Sequence, residues 1–312
     1  MSMSKRSAVA GGRAGALVLA AVVGVLGGCE MNPTTGRRQV IALSWQQEAA
    51  LGVQESPKMV QEFGGEVAKQ ELRDYVREVG MKLAAQAVQD DARLKDLPWE
   101  FTLLNSDVVN AFALPGGKVF MSRGLAEKMT NEAELAGVLG HEIGHVAARH
   151  TNERIAQTQY AQVGVGLAGL LGGQEYGQLA QAVSEQGAQF WLLSYSRDQE
   201  SEADHLGLRY MTRAKYDPRG QVQVMQILNS LDKSGRPPEM LSTHPYPEER
   251  IKNMQQAIQE SYSFTQNNPE YGLHESEFRS RFLSRLGAAF PGGYDTSDAV
   301  RRLAMTGMHA GD

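Results

Sequence analysis

Cysteine is almost missing from this sequence: there is one in 312 residues, Cys29. A chain with a single thiol has no internal disulfide framework, so its stability has to come from a packed core. Positive charge is not in excess either. The formal net charge is -5, which excludes the basic surface that nucleic acid requires, and no nucleic-acid partner is expected. No internal repeat runs through the chain, so a stacked helical array for partner binding is excluded within it. Long apolar runs are few, and the two most apolar, 14–28 and 163–173, are short for a membrane span. What remains is 42% hydrophobic and 21% charged. That is an ordinary globular balance, sufficient for one large core or two modest ones.

The N-terminus differs in kind. Lys5, Arg6 and Arg13 precede an apolar run from Ala14 to Gly28 broken only by glycines, the charged-then-apolar order of a secretory signal. The run ends in Leu26-Gly27-Gly28-Cys29, which resembles the lipobox of bacterial lipoproteins; the competing reading is a buried free cysteine. The resemblance implies a signal peptide over 1–28 and lipidation of Cys29, which becomes the first residue after cleavage. Glu30, following the cysteine, implies an outer-membrane location facing the periplasm.

Along the rest of the chain, 29–44 reads as the lipidated cysteine and a polar tether, Asn32-Pro33-Thr34-Thr35-Gly36. Residues 45–260 read as one domain. Residues 261–312 read as a C-terminal extension, loosely structured around SFTQNNPEYG and FPGGYDTSD. Within 66–88, apolar groups at Val67, Leu72, Val76, Val79 and Leu83 approach the helical period. Residues 99–105 and 111–122 read as strands, the second broken by a Pro115-Gly116-Gly117 turn. A strong helix is expected from Asn131, its cap, to about His150. Further helices are expected over 175–194, 198–214, 218–231 and 247–260. The glycine-rich 163–173 reads as a buried connector or a mobile lid.

The stretch LGHEIGHVAARH, 139–150, carries the chemistry. His141 and His145 are four apart on a helix, so both rings share a face, with Cβ atoms about 5–6 Å apart, and converge on one metal ion. The apolar stripe Leu135, Leu139, Ile143 and Val146 lies about a third of a turn away, which predicts histidines at the rim of a cleft. Glu142 projects between stripe and histidines, where it reaches a water at the metal without being a ligand. A third ligand is needed. In the pattern H-E-x-x-H-x-x-G-x-x-H the glycine falls at Ala148 and the last histidine at Thr151, so His150 is one position early. It reads instead as a helix C-terminal residue favoured by the dipole. The other solution is a glutamate on a later helix. In SRDQESEADHLGLRYM, 196–211, Glu200 and Asp204 share a face while Glu202 points nearly opposite. Glu200 would ligate and Asp204 would accept the remaining ring N–H of a ligand histidine, unless this is only an acidic solvated face. Small residues Ala203 and Gly207 would let the two helices approach closely. His205 reads as structural. The fold class expected is α+β: a mostly helical, zincin-like metallopeptidase domain with a small β-sheet beside the H-E-x-x-H helix.

GHEIGHVAARH followed by ESEAD resembles the zinc metallopeptidases that include the CAAX prenyl endopeptidases and the HtpX-type proteases, the gluzincins. It is more similar to their soluble bacterial lipoprotein branch, of the beta-barrel assembly-enhancing type. The resemblance runs from NPTTGRRQV (32–40) through NAFALPGGKVF (110–120) to HPYPEER (244–250). It implies one Zn2+ per chain, held by His141, His145 and Glu200, with Glu142 as general base. It also implies a histidine near the zinc at His244 and an arginine six residues on, at Arg250. His244 would then be a reversible fourth ligand that brakes the reaction, or an oxyanion donor assisted by Arg250. Asn110, Ala111, Phe112 and Ala113 form the strand expected to pair with an extended peptide. The transmembrane helices and repeat domain of other members are not expected in these residues, nor prenyl-protein processing. The activity implied is a periplasm-facing, lipid-anchored zinc endopeptidase acting on misfolded or stalled envelope proteins, with the outer-membrane assembly machinery as a possible partner. The alternative is a chaperone-like assembly lipoprotein with a latent metal site.

Overall fold

The computed structural model describes residues 29–160, 194–235 and 237–289. The expected signal peptide over 1–28, the glycine-rich 163–173, most of the helical stretch 175–194 and residues 290–312 lie outside them. The described residues begin with a hairpin of β1 (Cys29–Met31) and β2 (Arg38–Val40), followed by α1 (Trp45–Glu62) and α2 (Gln70–Ala87). Then come β3 (Glu100–Leu104), β4 (Ala111–Leu114) and β5 (Lys118–Ser122), and the central helix α3 (Glu132–Ala147). Residues 150–160 are helical (α4). They are followed by α5 (Arg197–Arg213), α6 (Arg219–Lys233), a single turn Met240–Thr243, and α7 (Pro247–Ser261). The architecture is α+β, mostly helical with small sheets, as the sequence predicts.

Helices α1, α3 and α5 start where the sequence supplies partners for unpaired N–H groups, whereas Lys69 gives α2 no side-chain cap. Ser44 and Ser196 form capping boxes with Gln47 and Gln199 at the starts of α1 and α5, and Pro247 takes the first position of α7. Asn131 caps α3 by accepting from Glu134 N at 3.0 Å. The Glu134 carboxylate turns back to Thr130 N rather than to Asn131 N.

The three-stranded sheet has the order β3-β5-β4, with β3–β5 parallel and β4–β5 antiparallel. The β4–β5 hairpin turns at Gly116 and Gly117, both at positive φ, and a Cβ on Gly116 would strike the α1 backbone at Ala49.

Helix α3 is buried along its whole length. That differs from the expected cleft rim: α5 and α6 cover the face the histidines occupy. The cover is possible because the contact residues are small. A Cβ on Gly144 would stand 2.9 Å from Ala203 O, and one on Gly140 would stand 3.4 Å from Gly207.

Two end segments differ from expectation. Residues 29–40 are no free tether: Asn32 Nδ2 donates to Ala147 O at 3.0 Å and Gln39 Nε2 to Ala148 O at 2.6 Å, so the hairpin caps the C-terminal end of α3. The C-terminal extension is helical over Glu275–Phe278, through a π-helical turn Arg279–Leu283, into Ser284–Ala289. Its Phe278, Phe282 and Leu286 are buried, and both phenylalanines contact Tyr75 of α2. Among the described residues no helix is long and apolar enough to cross a membrane.

Candidate active site

Helix α3 brings His141 and His145 together with their Nε2 atoms 3.0 Å apart. Helix α5 supplies Glu200, whose oxygens lie 3.5 Å from each of those nitrogens. His244 caps the Met240–Thr243 turn just before Pro245. Its Nδ1 is 3.2 Å from His141 Nε2 and 3.0 Å from Glu200 Oε1. One donor atom from each of the four residues lies within 4.8 Å of the other three, and all four residues are buried.

The outer ring of contacts explains how the donors are held. Asp204, one turn beyond Glu200, has Oδ1 2.9 Å from His141 Nδ1. Gln221 of α6 donates to that carboxylate at 3.2 Å. Arg250 of α7 donates through Nε and Nη2 to Asp204 at 2.8 and 2.7 Å, and its Nη1 lies 2.6 Å from Glu200 Oε2. The guanidinium expected to assist an oxyanion is held between these two carboxylates and also donates to His244 O at 3.4 Å. The Tyr195 ring stacks on His145 with centroids 3.8 Å apart.

Charge follows from these contacts. Burial works to raise the Glu200 carboxyl, but Arg250 and His244 outweigh it and hold it well below the usual range. Burial likewise opposes ionisation of Asp204, and Arg250 again wins. Burial pushes His145 well down, which keeps the ring neutral and its lone pair available. His244 goes the other way: burial disfavours its charge, yet the Glu200 and Glu142 carboxylates raise it.

This donor set fits zinc. Three imidazoles and a carboxylate are the N/O ligands zinc takes in four-coordinate sites. If His141 gives its Nδ1 proton to Asp204, its Nε2 lone pair faces that of His145 at 3.0 Å, an arrangement that a cation between them relieves. Glu142 lies next to this cluster, fully buried, with neither carboxylate oxygen hydrogen-bonded. Its Oε1 is 3.6 Å from His244 Nε2. A buried carboxylate without a hydrogen bond is costly.

The expected substrate strand is β4, at the edge of its sheet. Asn110, Ala111, Phe112 and Ala113 are all buried, at most 9% exposed. A small cavity lined by Ala113, Leu114, His145, Arg149 and Asn152 separates β4 from the end of α3. The edge is therefore closed over here. Cys29 is exposed, at the start of the hairpin.

Sequence reasoning missed three groups. Tyr195 had no spacing signal. Gln221 sits in an unremarkable amphipathic helix. His150 is the third, and its role as a helix C-terminal residue is corrected here. Helix α3 ends at Ala147, Arg149 adopts a left-handed φ of 56°, and the chain turns there without a glycine. The Arg149 side chain is fixed by Leu43 O and by the Glu30 and Glu48 carboxylates. His150 then opens α4 with its ring buried against His145.

Comparison with known proteins agrees with this geometry. The model of Peptidase family M48 matches residues 71–258. The Beta-barrel assembly-enhancing protease of Escherichia coli (strain K12) is 32% identical over 188 residues, 58% of this chain and 37% of that protein. The Mitochondrial metalloendopeptidase OMA1 of Arabidopsis thaliana is 35% identical over 191 residues, 60% of this chain and 37% of the relative. Its Schizosaccharomyces pombe counterpart is 35% identical over 169 residues, 54% of this chain and 49% of the relative. The chain spans between 37% and 49% of the length of these three relatives. The matched segment holds α2 through α7, with every side chain of the four-donor cluster and the partnerless glutamate, and on both grounds this chain belongs to Peptidase family M48, the zinc metallopeptidases.

Proposed function

We propose that the protein is a zinc endopeptidase in which His141, His145 and Glu200 hold the metal and Glu142 is the general base. When bound, zinc supplies a Lewis acid and lowers the pKa of water at the site to about 7. Glu142, unpartnered and adjacent, takes a proton from the attacking water and returns it to the leaving amine. Asp204 holds His141 in one tautomer, and Arg250 fixes Asp204 and Glu200. His244 is placed either as a fourth donor that closes the site, in which case cleavage requires it to swing away, or as a donor to the oxyanion. At the edge of the sheet, Asn110–Ala113 would pair with an extended peptide through backbone hydrogen bonds. The observation that carries this reading is the convergence of four buried donors beside a carboxylate with no hydrogen-bond partner.

The relatives' names speak of beta-barrel assembly and of mitochondrial endopeptidases. We carry over from them a role in envelope protein quality control. Its substrates would be unfolded or misfolded envelope polypeptides, and its partner the outer-membrane assembly machinery. A lipid on Cys29 would hold it at the outer membrane, facing the periplasm. The test is incubation of the protein with an unfolded polypeptide, with and without a zinc chelator. Cleavage should stop with the chelator, and Glu142→Gln should keep zinc while cleavage falls by about 10²–10⁴-fold. Cleavage by Glu142→Gln at the wild-type rate would remove Glu142 from the mechanism. A second reading, a chaperone-like lipoprotein with a latent site, is favoured by the buried His244 and closed β4 edge. It predicts that cells carrying Glu142→Gln fare as well as wild type.

A further inference from the structure

The two ligand histidines are braced differently. His141 meets a carboxylate directly, at Asp204. His145 does not: its Nδ1 lies 2.8 Å from Nδ1 of His150, whose Nε2 lies 2.8 Å from Glu202 Oε2. Arg37, from the N-terminal hairpin, donates to Glu202 at 3.2 Å and to both oxygens of Glu153 at 2.8 and 3.0 Å. His150 is completely buried, and Glu202 is 22% exposed.

The chemistry of this row allows one direction only. Two imidazole nitrogens 2.8 Å apart share one proton. A carboxylate accepts and never donates when ionised, so Glu202 draws the His150 proton to Nε2 and leaves Nδ1 as an acceptor. His145 must then carry its proton on Nδ1 and present a bare Nε2 towards Glu200 and His141. That is the tautomer a ligand needs. Without Glu202, the His150 proton is free to move to Nδ1, which forces the His145 proton onto the metal-facing nitrogen.

We propose that His150 and Glu202 are positioning residues for the His145 ligand, a carboxylate acting through an intervening imidazole, with Arg37 steadying the carboxylate. The proposal deepens the reading that His145 holds zinc and rests on it. Both braces come from one helix: Asp204 and Glu202 project from opposite sides of α5, and the left-handed turn at Arg149 brings His150 within reach of the outward one. The hairpin that begins at Cys29 is thereby connected to the metal through four side chains.

The test is zinc affinity, read by competition with a chromogenic chelator, alongside thermal unfolding of the zinc-free protein. Glu202→Ala should weaken zinc binding by about 10–100-fold without lowering the zinc-free Tm. Glu202→Gln keeps an acceptor for the His150 Nε2–H and should restore most of the affinity. Arg37→Ala should fall between wild type and Glu202→Ala. Wild-type affinity in Glu202→Ala overturns the proposal. So does a loss of affinity shared equally by the Gln and Ala variants and matched by a lower zinc-free Tm, since that is a structural effect. His145→Ala separates the two levels. If it binds zinc normally, the underlying reading falls; if it loses zinc while Glu202→Ala does not, only the brace falls.

Discussion

His244 sits between two outcomes that a single substitution separates. Its Nδ1 lies among the donors of the cluster and its Nε2 faces Glu142, so it is placed to close the site or to serve a reacting group. If closure dominates, His244→Ala should cleave an unfolded polypeptide about tenfold faster, the factor expected when the closed state is favoured by about 1.4 kcal/mol. Slower cleavage would make it an assisting donor, and an unchanged rate would remove both roles. Reading residues from sequence is strongest where chemistry fixes a spacing. Two imidazoles one turn apart and a carboxylate on a later helix are constrained by the metal, and the structure brings His141, His145 and Glu200 together. It failed at His150 because the comparison was made with a pattern that turns at a glycine. Here a non-glycine residue turns instead, stabilised by bonds to a hairpin and a helix far away in sequence.

At the level of elements, the site depends on how closely α3 and α5 approach, and two glycines give opposite expectations. An alanine at either position gains about 1 kcal/mol of helix propensity. At Gly140 the added carbon meets Gly207 at an ordinary 3.4 Å, so Gly140→Ala should be neutral or slightly stabilising. At Gly144 it meets backbone oxygen of Ala203 at 2.9 Å, which no side-chain rotation relieves. Overpacking costs about 1–3 kcal/mol, so Gly144→Ala should lower the urea-unfolding free energy and weaken zinc binding, because α5 carries Glu200 away from α3. Equal stability for the two variants would show that the helices have slack. The helices expected over 66–88, 131–150, 198–214, 218–231 and 247–260 were legible from periodicity and caps, and their observed ends fall within a few residues of expectation, whereas α1 was not singled out. The parallel pairing of β3 with β5 was not legible, since strand order depends on non-local contacts. The C-terminal helical segment did have a signal: Phe278, Phe282 and Leu286 repeat every four residues on one face, but the surrounding polar, turn-forming residues masked it.

Across the protein, the described residues pack the 29–40 hairpin on the end of α3 and the 275–289 segment on α2, and the first of these has a consequence for stability. The hairpin, α1 and the turn after α3 meet at Glu48, which is 3% exposed and shares one cation, Arg149, with Glu30. Burial, the larger influence, pushes the Glu48 carboxyl up to about 7 against the pull of Arg149. Glu134 at the start of α3 is also pushed up to about 7 by burial. In the unfolded chain both release their protons near the ordinary glutamate value of 4.5. Between that pH and about 7 the folded state binds protons the unfolded state has lost, so stability falls as pH rises through the window. Glu200 and Asp204 act with the opposite sign: held low by Arg250 against burial, they lose their contribution only as pH drops below the usual carboxylate range. His145 and His150, pushed down by burial, oppose this trend below about pH 6.5, so the glutamates' effect is read by difference, with Glu48 lowering the stability of the zinc-free protein by at most about 3 kcal/mol between about pH 5 and pH 7.5. Glu48→Gln cannot ionise, so its unfolding free energy should vary less across the same interval while the Glu134 contribution persists. Urea titrations of both proteins at both pH values decide the matter: a glutamine variant with the wild-type slope would mean that Arg149 keeps Glu48 ionised despite its burial.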